Sequence, residues 1–146
     1  MNWSNWENIE NLPDYEGKGV YRFRLVDNKG KSISIQRFLG EDKDGIIVIG
    51  EAENIKTRLK QFNKVVIEKK KYPHSEGLTI HLLRSITKFD EKYEMCTFQY
   101  TYSKVDEHKE EEKKLLESYF MEYGEIPPLN YKREFISSKR IRKLYL

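Results

Sequence analysis

The chain has 146 residues, 38% of them hydrophobic and 35% charged, with a formal net charge of +3. That length suits one domain with a real core rather than two, and ten tyrosines and seven phenylalanines spread along it argue against disorder. No apolar run approaches the ~18 residues that span a bilayer, and the lone Cys96 excludes an internal disulfide and a cysteine-built zinc site.

Residues 1–18 read as an irregular lead-in broken by Pro13 and Gly17, with Trp3 and Trp6 packed on the domain. The segment holds no basic stretch followed by an apolar one, so no signal peptide is expected, and the chain reads as soluble and cytoplasmic with no membrane association. "GVYRFRLVD", Gly19 to Asp27, alternates apolar and polar residues, with Val20, Tyr21 or Phe23, and Leu25 competing for the inward face. "NKGK" is a turn signal and "SISIQRF" alternates again, which predicts a hairpin with the preceding strand. After a second turn, "GEDKDG", the run "IIVIG" is short, continuous and β-branched, as a central strand covered on both faces would be.

From Asn54 the period changes. Ile55, Leu59, Phe62 and Val66 form one helical stripe, and Asn54 suits its N-cap. "KKYPHSEG" breaks that pattern, and "LTIHLLRSI" fits a helix or a strand, with helix preferred. "YEMCTFQYTYS" predicts a further strand. A long helix then starts near Asp106, with Leu115, Leu116, Tyr119, Phe120 and Tyr123 inward and Gly124 at its end. The fold class is α/β: a small sandwich whose central mixed or antiparallel sheet of three or more strands is flanked by helices. The stretches Lys56 to Lys71 and Lys132 to Lys143 are basic, a layout that suits phosphate contacts, or solvated helix faces.

Three pieces in order, "GVY" at Gly19 to Tyr21, "VIG" at Val48 to Gly50 followed by "ENIKTRL", and "LLESYFMEYGEIPPLN" at Leu115 to Asn130, resemble the GIY-YIG nuclease family. The resemblance covers about residues 19–131 of a single domain, leaving 132–146 as a basic tail. It departs from the family pattern at Val48, where the second motif carries tyrosine, and at Phe62, where some members carry histidine. The spacer between the first two motifs is also long and contains the arm "NKGKSISIQRF". The resemblance implies a metal-dependent endonuclease acting on nucleic acid, with double-stranded DNA as the expected partner. It also implies one Mg²⁺ or Mn²⁺ ion, held by a single glutamate and completed by water and phosphate. The alternative is a domain of the same architecture that binds nucleic acid or a protein without chemistry, which Val48 and Phe62 favour.

Carried onto this chain, the resemblance assigns the metal to Glu117 and the scissile phosphate to Arg58, whose planar guanidinium matches phosphate oxygens. Tyr21 becomes the water-activating group or its hydrogen-bond partner. A free phenol with a pKa of about 10 acts as a base only beside a cation or metal. Gly50, Lys56, Lys60 and Asn130 are placed at the substrate, with Asn130 tying the chain end to the site through its amide. His74 in "PHSEG" stands where some relatives carry a histidine and would move protons or contact phosphate. His81 is expected to be structural and His108 solvated. The remaining acids of the last helix, Glu110, Glu111, Glu112 and Glu122, are expected on its wet face.

Overall fold

The computed structural model describes residues 1–68, 75–130 and 143. In chain order they form β1 (Glu7–Asn8), β2 (Gly19–Val26), β3 (Ile35–Arg37), β4 (Gly40–Asp42), β5 (Ile46–Ala52), α1 (Ile55–Val66), α2 (Ser75–Ile86), α3 (Phe89–Lys92), β6 (Thr97–Lys104) and α4 (His108–Tyr123). The result is a mixed α/β architecture around a four-stranded antiparallel sheet of order β1-β6-β2-β5. None of the described helices is long and apolar enough to cross a membrane.

The period-2 pattern of β2 decides which side chains meet on each face. Tyr21, Phe23 and Leu25 go to the side covered by α1, where they join Val48, Ala52, Ile55, Leu59, Phe62 and Val65 in the larger core. Each of the big side chains there is withdrawn from water almost completely, a gain of about 2 kcal/mol apiece. Ile46 and Ile49 face the other side and pack with Leu116, Tyr119 and Ile126. Between Phe23 and Arg24 the β2–β5 register slips by one residue. This bulge lets Ile47 and Val48 both serve the α1 side. On the α4 side of β2, the guanidinium of Arg22 lies 3.9 Å from the Trp3 ring centroid and that of Arg24 lies 4.2 Å from Trp6. The two tryptophans therefore pack on the domain as stacking partners of arginines. Burial draws the Arg22 guanidinium below its ordinary value, and the carboxylates of Asp44 and Asp42 oppose that.

Several expectations need correction. The lead-in contains a short strand, β1, paired with β6 through Glu7↔Tyr100 and Asn8↔Gln99. The "NKGK" turn forms, with Gly30 at φ 79° and Ile33 N donating to Leu25 O at 2.9 Å. The arm after it leaves β2 beyond a single bridge, Val26↔Ser32, and pairs as β3 with β4 in a separate two-stranded sheet. Part of "GEDKDG" is thus strand, and the hairpin is β3–β4. Phe38 and Leu39 at its tip stay exposed although Leu39 N is bonded to Tyr123 O at 2.9 Å. "IIVIG" is covered on both faces as expected, yet β5 lies at the sheet edge and not its centre. Its outer edge is closed by the segment after α4, where Leu129 N donates to Ile47 O at 2.9 Å. The short α3 carried no clear sequence signal. The helix preference for "LTIHLLRSI" agrees with α2, and Gly124 ends α4 in the left-handed region at φ 72°. The basic tail 132–146 lies outside the described residues, apart from Lys143.

Two buried polar groups fix the sheet's far end. The Asp42 carboxylate accepts from Gly45 N at 3.1 Å, Ile46 N at 2.9 Å and the Tyr119 hydroxyl at 2.8 Å. Asp42→Ala removes the acceptor of all three donors and is expected to destabilise the fold by about 3 kcal/mol in urea titration, and Tyr119→Phe by about 1 kcal/mol. Burial pushes the Tyr100 phenol from its ordinary 10.0 up to about 12, with the Glu7 carboxylate acting the same way. Its folded-state pKa is raised, so the stability it contributes is complete below pH 10 and is lost as pH rises through about 12. Burial and the bond to Asp42 raise Tyr119 in the same direction. The unfolding free energy, read from urea titration, is therefore expected to fall by about 2 kcal/mol across this alkaline window, and by less in Tyr100→Phe.

Candidate active site

The site grows from β2 and β5. The antiparallel register sets Tyr21 directly opposite Gly50. The Tyr21 ring lies across that glycine so closely that a Cβ on Gly50 would stand 2.3 Å from both Cζ and Oη of the phenol. Gly50 is therefore the space in which Tyr21 rests. Edge-on contacts with Phe23 and Phe62, each at 5.7 Å between centroids, hold the ring from its other sides.

α1 brings the guanidinium to that phenol. Asn54 caps the helix as its position promised, with Oδ1 accepting from Thr57 N at 2.9 Å. Ile55 N and Lys56 N donate to Gly17 O and Tyr15 O, each at 3.0 Å, so the first turn's amides are occupied by protein. A phosphate at this end must be held by side chains instead. Arg58, one turn in, directs Nη1 to Tyr21 Oη at 3.2 Å and to Glu51 O at 3.3 Å. These two anchors fix the guanidinium plane above the strand end.

Asn130 meets the same strand from its outer edge. Its Oδ1 accepts from Ile49 N and its Nδ2 donates to Ile49 O, both at 2.9 Å, so the side chain copies a neighbouring strand for one residue. Glu117 lies on α4, whose neighbouring Leu116 packs with Ile49 on the opposite face of β5. Set about 100° round the helix from Leu116, Glu117 occupies the flank of the packed stripe. It is the one buried glutamate among the described residues, 5% exposed, whereas Glu110 and Glu122 are exposed and Glu111 and Glu112 half-buried. The structure thus joins Tyr21, Gly50 and Arg58 in direct contact, with Asn130 one residue from Gly50. Those contacts do not include Glu117, which lies on α4, the helix packed against the opposite face of β5 through Leu116.

The other candidates are placed differently. Lys56 and Lys60, two residues before and after Arg58, lie on the helix about 160° away from it. Lys56 is half-buried and Lys60 exposed, and neither shares Arg58's face. His74 lies outside the described residues. Val48 and Phe62 are both fully buried in the larger core. His108, expected in solvent, is buried instead, with Nδ1 against the Glu51 carboxylate. That pair joins the start of α4 to the residue after Gly50, and nothing in the local pattern "DEHKEEE" marks it. His81 is half-buried on α2.

No family model, curated protein or solved structure matches this chain. Function therefore rests on the site's own chemistry. Among the described residues no three His, Cys, Asp or Glu side chains gather as a metal cage. A carboxylate is an oxygen donor of the kind a hard divalent cation takes, and among the candidate residues Glu117 would be the one to hold Mg²⁺ or Mn²⁺.

Proposed function

We propose that this protein is a metal-dependent endonuclease hydrolysing DNA phosphodiester bonds, with a GIY-YIG-like fold and site. The observation that carries this reading is the Arg58–Tyr21 hydrogen bond over Gly50, at 3.2 Å. It holds a cation that matches phosphate in a fixed position over the end of the strand. In this reading Arg58 grips the scissile phosphate and neutralises the charge that builds on it. Tyr21, itself withdrawn from water, orients the Arg58 guanidinium as its hydrogen-bond partner, and Asn130 holds the edge of β5 so that Gly50 keeps its place under the ring. A divalent ion at Glu117 would supply Lewis-acid stabilisation of the phosphate and leaving oxygen.

Incubating supercoiled plasmid with the protein and Mg²⁺ or Mn²⁺ tests this. Nicked or linear DNA that chelator prevents is the expected product. No cleavage with either ion overturns the proposal. Val48 and Phe62 favour a second reading, because both positions at which the family carries polar side chains are sealed into the core. On that reading DNA is bound in a salt-dependent way and never cut.

A further inference from the structure

We infer that Tyr15, Tyr102, Lys18 and Lys104 form a subsite for an unpaired nucleotide flanking the cleaved phosphate, an inference that rests on the nuclease reading above. The β2–β6 register sets Tyr102 directly opposite Tyr21. Both side chains therefore stand on the α1 side of the sheet, with Cα atoms about 5 Å apart. Gly50, Tyr21 and Tyr102 form one row across β5, β2 and β6.

The row continues beyond Tyr102. The Tyr15 ring stacks on it with centroids 5.8 Å apart and planes 6° from parallel. Lys104 Nζ lies 4.8 Å from the Tyr15 centroid. Tyr15 is anchored from two directions: its hydroxyl donates to Lys18 O at 2.7 Å, and its carbonyl accepts Lys56 N at 3.0 Å, in the first turn of the helix that carries Arg58. Val105 N donates to Lys18 O at 3.2 Å, and Gly19 pairs with Lys104, which sets Lys18 and Lys104 on neighbouring backbone, both side chains exposed.

Half-buried phenol rings next to exposed ammonium groups are the combination that holds single-stranded nucleic acid. Every base offers a π face for stacking, and every linkage offers a phosphate. A duplex base pair keeps its faces covered, so the subsite takes an unpaired base. Asp14 and Glu16 flank Tyr15 in the sequence. The segment as a whole is therefore not basic, and phosphate recognition depends on where Lys18 and Lys104 sit.

The test is fluorescence anisotropy in chelator, using two labelled DNAs of equal length, one fully paired and one with a single-stranded overhang. Wild type is expected to prefer the overhang. Lys18→Gln with Lys104→Gln should weaken overhang binding about 10-fold at low salt. It should also reduce the slope of log affinity against log salt by about 0.7 per lost phosphate contact. Tyr15→Leu, shown folded by its melting curve, should lose the overhang preference. If the double lysine variant keeps both affinity and slope while wild type cuts plasmid with metal, the subsite is overturned and the nuclease reading stands. If wild type binds neither DNA, the subsite is overturned, and the nuclease reading stands or falls on plasmid cleavage with metal.

Discussion

Glu117→Gln is expected to lower divalent-metal-dependent cleavage of plasmid DNA by 100-fold or more, in protein shown folded by its melting curve. Glutamine keeps the shape and volume of the side chain but gives up the charge that would hold a hard cation. Arg58→Ala is expected to lose about 10²–10³-fold in turnover, the usual result of deleting one preorganised donor to a transition-state oxyanion. Arg58→Lys should recover only part of this, because an ammonium cannot reproduce the planar fork set by the two Nη1 anchors. Single-turnover cleavage rates check both variants. Glu117→Gln cutting at the wild-type rate would remove Glu117 from the site, whatever the other variants do.

Gly50→Ala is expected to destabilise the fold by about 2–4 kcal/mol and to abolish cleavage together with the Arg58–Tyr21 contact. The added methyl would meet the rigid Tyr21 ring at 2.3 Å. That ring has no room to retreat, since Phe23 and Phe62 hold its other edges. Combining Gly50→Ala with Tyr21→Leu should restore much of the stability, as the obstructing ring is gone, but not the activity. A denaturation series on the four proteins of this cycle measures the coupling. Full stability in Gly50→Ala alone would contradict the packing described for Tyr21.

The expected effects of these variants depend on different kinds of information. β2, α1 with its Asn54 cap, β6, and α4 ending at Gly124 were legible because short-range rules write them into a few neighbouring residues: alternation for strands, the 3.6 period for helices, and a left-handed glycine at a helix end. The candidate pairing of Tyr21 with Arg58 came from ordered motifs, and their direct contact required the sheet register and the helix to be built together. Helical period alone also separates Lys56 and Lys60 from Arg58.

Other features belong to tertiary structure. "IIVIG" has the composition of a strand covered on both faces wherever it sits, so its edge position followed from Leu129 and Asn130 closing it from a distant part of the chain. The arm after β2 alternates equally well for either partner. Its choice of β4 is held by Arg37, whose Nη2 donates to Ile126 O at 2.8 Å, and by Leu39 bonded to Tyr123. His108 sits in an acidic run that reads as solvated, and it is buried because Glu51 meets it from a strand far away in sequence. What the sequence by itself determined was each element's identity and its apolar side. Which elements became neighbours, and so where a glycine must stay empty for a tyrosine, only the tertiary structure decided, because those contacts join residues that no local pattern links.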